Sequence, residues 1–154
     1  MATLEITDFK EFRELEGKPV PPGEWVTITQ EMINDFARAT GDFQWIHTDP
    51  EKAALHSPFK KPVAHGFLSV SLLSRLLGDC VEVRSVKLGL NYGLNKVRFP
   101  APVPVDSRVR LKGLVNQIEA YPKNGLKITW ECKVEIQGVA KPACVAEFVT
   151  LMFE

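Results

Sequence analysis

From residue 85 onward the hydrophobicity of the chain repeats every two residues, and just ahead of that stretch stands a helical segment apolar on almost every side. Few folds accommodate both. Leu126, Ile128, Trp130, Cys132, Val134 and Ile136 alternate with Lys127, Thr129, Glu131, Lys133 and Glu135, the pattern of a strand with one wet face. Val109, Leu111, Gly113 and Val115 begin another strand, and Pro122-Lys123-Asn124-Gly125 is a fitting hairpin turn between the two. Ala143 to Phe153 is apolar on both faces, as a central strand would be, and Tyr92 to Phe99 is a further strand ended by Pro100 and Pro102. In the preceding segment Phe67, Leu68, Val70, Ser71, Leu72, Leu73, Leu76 and Leu77 are apolar or small nearly all round, and Gly78 stops the run. A helix of that kind belongs inside a fold rather than on it. The two patterns predict one buried helix enclosed by a long antiparallel sheet, an α+β arrangement.

The first half supplies shorter elements. Pro19, Pro21, Pro22 and Gly23 form a breaker cluster, after which Glu24 to Ile28 reads as a short strand. Thr29 is placed to cap a helix whose apolar face is Met32, Ile33, Phe36 and Ala37 and which Gly41 ends. Asp49-Pro50-Glu51 marks a second helix start, and Lys60 to Pro62 is a loop. With 154 residues and no internal repeat, low-complexity tract or long linker, residues 1–154 are expected to form one domain.

Nineteen basic and nineteen acidic side chains leave a formal net charge of zero, so no broad basic field is available for nucleic acid or an anionic membrane. Met1 to Lys18 contains no continuous apolar run, which argues against a secretory signal, and no apolar stretch approaches the ~20 residues that span a bilayer. Cys80, Cys132 and Cys144 are odd in number and lack any CxxC spacing. Reduced thiols in a cytoplasmic protein are the simplest account.

The chemistry concentrates in Ala39-Thr40-Gly41-Asp42-Phe43-Gln44-Trp45-Ile46-His47-Thr48-Asp49-Pro50. Asp42 follows a helix-ending glycine and His47 precedes the next helix cap, so both fall on one short connection between helices. A histidine that changes protonation near neutral pH beside a carboxylate is a proton-handling pair. On spacing alone, service as turn and cap residues is an equal account of both. Ala64-His65-Gly66 comes directly before the apolar helix, where exposed amides attract negative charge and glycine admits a ligand to the backbone. A tight turn at Gly66 with His65 packed in the core is the plainer account.

Taken together, Gly41-Asp42, His47, Asp49, Ala53 and His65-Gly66 followed by an apolar helix resemble the MaoC-like or R-specific enoyl-CoA hydratase family of the hotdog fold. The Gln44-Trp45-Ile46-His47 variant, with Asn91 to Phe99, looks more like the nodulation protein N-like branch. The resemblance implies that Asp42 and His47 bind and activate a water, that Gly66 offers its N–H to a thioester oxygen, and that Ser74 supports the carboxylate. It implies reversible hydration of a trans-2-enoyl thioester to the R-configured 3-hydroxyacyl thioester, coenzyme A being part of the substrate and no separate cofactor being needed. A homodimer is expected, because an isolated hotdog sheet leaves an edge strand and one helix face uncovered. A hotdog thioesterase and a non-catalytic acyl-thioester binding protein are the alternatives. His47, His56 and His65 stand nine apart, which is no known metal-ligand spacing, so no metal is expected. Lys60, Lys61, Lys96 and Arg98 are candidates for the phosphates of a coenzyme A handle.

Overall fold

The structure, a computed structural model, describes residues 3–154; Met1 and Ala2, which open the N-terminal segment read above, lie outside them. That segment supplies strand β1 (Leu4–Ile6) and helix α1 (Phe9–Phe12). Asp8 caps α1 by accepting from the Glu11 N–H at 2.9 Å, and Phe12 is buried against Trp130 with ring centroids 5.8 Å apart.

Past the proline cluster come β2 (Val26–Thr27), α2 (Gln30–Thr40), α3 (Trp45–Thr48) and α4 (Pro50–His56). β2 is shorter than the pattern from Glu24 to Ile28, because only Val26 and Thr27 find a partner strand. Thr29 accepts from the Met32 N–H at 3.2 Å, and Gly41 closes α2 in the left-handed region at φ 82. Asp49 accepts from the Lys52 N–H at 3.0 Å with Pro50 at the first helical position, as the sequence signals.

The apolar segment forms α5 (Gly66–Ser71) and α6 (Leu73–Gly78), interrupted at Leu72. All-round burial is not what the chain shows. Leu68, Leu73, Leu76 and Leu77 are buried, whereas Phe67 is 70% exposed and Ser71, Ser74 and Arg75 are exposed with it. These four recur at helical spacing, so they form one outward stripe that the described residues leave exposed.

β3 (Val81–Val83) pairs in parallel with β1, while β4 (Leu88–Arg98), β5 (Arg108–Tyr121), β6 (Gly125–Ile136) and β7 (Cys144–Phe153) join β2 in an antiparallel sheet ordered β2-β5-β6-β7-β4. The turn between β5 and β6 is where Pro122 to Gly125 signals it, with Lys123 and Asn124 at positive φ of 63 and 58. β7 is paired on both sides, as a central strand is. β4 lies at the edge, and its pairing with β7 slips twice, between Asn91 and Gly93 and between Leu94 and Lys96. Trp130, fully buried on central β6, donates its indole N–H to Thr150 at 2.9 Å. The helices pack on the sheet face that carries Leu111, Ile128, Trp130 and Phe148, giving the α+β hotdog arrangement expected. All three cysteines are buried free thiols, and burial pushes Cys80 and Cys144 up to about 11 and Cys132 up to about 12. Among the described residues no helix is long and apolar enough to cross a membrane.

Candidate active site

His47 does not lie on an open loop: it sits in the single helical turn α3, which splits the connection between α2 and α4. Three contacts hold it. Its Nδ1–H donates to the Val63 carbonyl at 2.7 Å, and its own carbonyl accepts from Gln30 Nε2 on α2 at 2.8 Å. Its ring stacks on His65, with centroids 3.9 Å apart and planes inclined by 22°. A carbonyl only accepts, so Nδ1 carries the hydrogen and Nε2 is left with a free lone pair. The side chain is 7% exposed. Burial holds its pKa below the usual histidine range; the Val63 carbonyl opposes this, the like charge available on His65 adds to it, and the Asp42 carboxylate opposes it. The result is a neutral imidazole near neutral pH, with one nitrogen ready to take a proton.

Asp42 is exposed, one residue beyond the glycine that ends α2. Its Oδ1 accepts weakly from the Gln44 N–H at 3.3 Å, and its own N–H reaches Thr40 Oγ1 at 3.4 Å. Its carbonyl accepts from Nε2–H of His65 at 3.0 Å, across 23 residues of sequence. Side-chain ligand atoms of Asp42, His47 and His65 all lie within 4.8 Å of one another. The structure thus brings together the carboxylate and imidazole singled out in the sequence and adds a second histidine.

Gly66 opens α5, where the first N–H groups have no acceptor inside the helix. Phe99 lies over it closely enough that a Cβ would meet the ring at 2.8 Å. Ser74 departs from its expected place. Its hydroxyl donates to Asn91 Oδ1 on β4 at 3.0 Å, on the exposed stripe of α6, and makes no hydrogen bond to Asp42. Lys60, Lys61, Lys96 and Arg98 are all exposed. Trp45 is half-buried with the Lys52 ammonium 4.9 Å from its ring centroid.

Two hollows of about 260 Å³ and 420 Å³ run between the helix and β4 and meet at Ser74, Asn91 and Phe148. The larger is lined by Leu77, Val83, Leu90, Trp130 and Leu151 among others. Neither is lined by Asp42, His47 or Gly66; Asp42 is exposed, Gly66 is half-buried under Phe99, and His47 is buried beside them. Sequence reasoning missed Val63, which accepts from the His47 ring through its main-chain oxygen, and Gln30, whose side-chain amide donates to the His47 carbonyl; neither carries a motif. It placed His65 only as a core residue, although a histidine at the end of a loop and ahead of an apolar helix was a usable signal.

Residues 11–131 match the family model described as the MaoC like domain. The chain is 53% identical over 133 residues to 3-hydroxyacyl-thioester dehydratase Z of Mycobacterium tuberculosis, covering 86% of this chain and 87% of that protein. It is 41% identical over 137 residues to nodulation protein N of Rhizobium leguminosarum, covering 88% and 85%. Among solved structures, the (R)-hydratase from A. caviae involved in PHA biosynthesis superposes with a TM-score of 0.68 at 27% identity, over 88% of this chain and 94% of that one. With that family model matched over most of its length and its fold in common with the (R)-hydratase, the chain belongs to the MaoC-like dehydratase family.

Proposed function

We propose that this chain adds water reversibly to a trans-2-enoyl thioester, giving the (R)-3-hydroxyacyl thioester, with coenzyme A as part of the substrate. The observation that carries the reading is the pairing of an exposed carboxylate, Asp42, with a neutral His47 whose Nδ1 is spent on Val63 and whose Nε2 is free. In hydration the water oxygen bonds to C3, one water proton passes to the pair, and a proton is delivered to C2. Two adjacent proton carriers suit that exchange, whereas attack of water on the thioester carbonyl needs only one. In this reading the Gly66 N–H, free at the start of α5, stabilises the enolate oxygen that develops as C3 is attacked. The names of the Mycobacterium tuberculosis dehydratase and the A. caviae (R)-hydratase support both the reaction and its stereochemistry. No step of this reading uses a metal: Asp42 and the free Nε2 of His47 carry the protons, and each of the His47 and His65 rings gives one N–H to a carbonyl.

Ser74 enters this reading only through Asn91, as part of the wall between the helix and β4. A homodimer completes it: β4 leaves an edge with Leu88, Leu90, Tyr92 and Leu94 exposed beside the open stripe of α5 and α6. Buried free thiols suit a reducing, cytoplasmic setting. The test is incubation with crotonyl-CoA while the enoyl absorbance and free thiol are followed together. Loss of the double bond with thiol retained is the expected result; release of thiol identifies a thioesterase, and neither change identifies a binding protein.

A further inference from the structure

His65 is 3% exposed, yet it is not packed as an apolar residue would be. One ring face lies on His47 at 3.9 Å, and Phe36 approaches with its centroid 4.9 Å away. Nε2–H donates to the Asp42 carbonyl at 3.0 Å, while the buried Nδ1 has no hydrogen-bond partner. A buried, unpartnered nitrogen is a cost that phenylalanine or leucine would avoid. What histidine supplies in return is the N–H to Asp42. That bond is the shortest of those Asp42 makes, the others being 3.3 Å and 3.4 Å, and it ties an exposed loop to the start of α5.

We infer that His65 is a positioning residue, holding the Asp42 main chain through Nε2–H and the His47 ring by stacking, so that carboxylate and free imidazole nitrogen meet at a fixed separation. The inference rests on Asp42 and His47 being the proton-handling pair. The two functions of His65 are separable. The hydrogen bond sets where Asp42 stands; the ring keeps water from one face of His47 and presses it toward Val63. The titratable groups acting on His47 are Asp42 from the loop after α2 and His65 from the turn before α5, while α2 meets it through the uncharged Gln30.

His65→Phe keeps a stacked ring and loses the donor; His65→Gln keeps a donor and loses the ring. In His65→Phe a displaced carboxylate lowers kcat by about a hundredfold, as misplacement of order 1 Å does, while KM and the acid limb of the pH profile stay near wild type. In His65→Gln kcat at its optimum falls less, but the acid limb of kcat/KM moves to higher pH, because a better hydrated His47 protonates more readily. NMR of the His47 ring nitrogens reports the same upward shift without substrate. If both variants match wild type in turnover and titration, or lose activity equally with His47 titrating unchanged, the inference is overturned. Asp42→Asn and His47→Gln are measured alongside: retained turnover there removes the pair itself, whereas collapse there with indifference at His65 removes only this inference.

Discussion

Replacing Gly66 by alanine and by proline isolates its backbone N–H from the space beside it. A Cβ there would stand 2.8 Å from Cδ2 of Phe99, so the ring must recede by about 0.6 Å (3.4 less 2.8) to reach ordinary contact. Phe99 is 40% exposed and free to pivot outward, which puts the crowding near the lower end of overpacking, about 1 kcal/mol. Proline adds little further cost. Gly66 is the first residue of α5, where a missing N–H breaks no helical bond. His65, at φ -60 and ψ 138, already has the extended conformation that a following proline requires. The two variants therefore share the same crowding and differ in one donor. Losing an oxyanion donor costs about a hundredfold to a thousandfold in turnover, or ~2.7–4 kcal/mol. Gly66→Ala should stay within about tenfold of wild type, a difference of ~1.4 kcal/mol, and Gly66→Pro should fall a further hundredfold or so. The assay is crotonyl-CoA hydration at saturating substrate, with circular dichroism and melting temperature matched. Equal turnover in the two variants would take the Gly66 N–H out of the mechanism.

Asp42→Asn and His47→Gln should each lower turnover by about a hundredfold to ten-thousandfold, and the double variant should be little worse than the poorer single one; binding of a saturated acyl-CoA, followed by calorimetry, should survive in all three. Because His47 acts as a base only when neutral and burial lowers its pKa, activity should persist to pH values below the usual histidine range, and the acid limb should move further down in Asp42→Asn, where the carboxylate that opposes the shift is gone. A limb at or above the ordinary histidine value would contradict this. Light scattering at micromolar concentration should give a dimer, and Leu90→Lys on the exposed edge should shift it toward monomer with loss of activity; a fully active monomer would exclude the arrangement.

The α2 boundaries were readable because Thr29 and Gly41 act locally, through a side-chain cap and a left-handed backbone. The β5–β6 hairpin was readable for the same reason, since Lys123 and Asn124 carry the turn. Features that depend on distant partners were not. β1 and β3 are three residues each and gain meaning only when Leu4 meets Val81, a pairing that no local pattern encodes. The apolar helix was expected to be buried all round because Phe67 and Ser71 count as apolar or small, yet their spacing with Ser74 and Arg75 forms an exposed stripe. At the site, Asp42 and His47 announce themselves by residue type and by the caps beside them. Their supports do not: His65 binds the Asp42 carbonyl and His47 binds the Val63 carbonyl, and main-chain oxygens carry no sequence identity. The role given to Ser74 came from the family resemblance alone, but a hydroxyl follows its nearest acceptor, here Asn91.

The two slips along β4 leave Tyr92 and Asn95 without partners in the register with β7, while Asn95 ties itself sideways to Glu147 at 2.9 Å. An interrupted border of this kind bends and twists more than a straight one. It can seat one matching strand but is a poor template for the flat, endless stacking that builds fibrils. The exposed apolar margin of β4 is therefore protected by its own irregularity. Excising Tyr92 and Asn95 would straighten that margin and raise the tendency to aggregate, even where the fold itself survives.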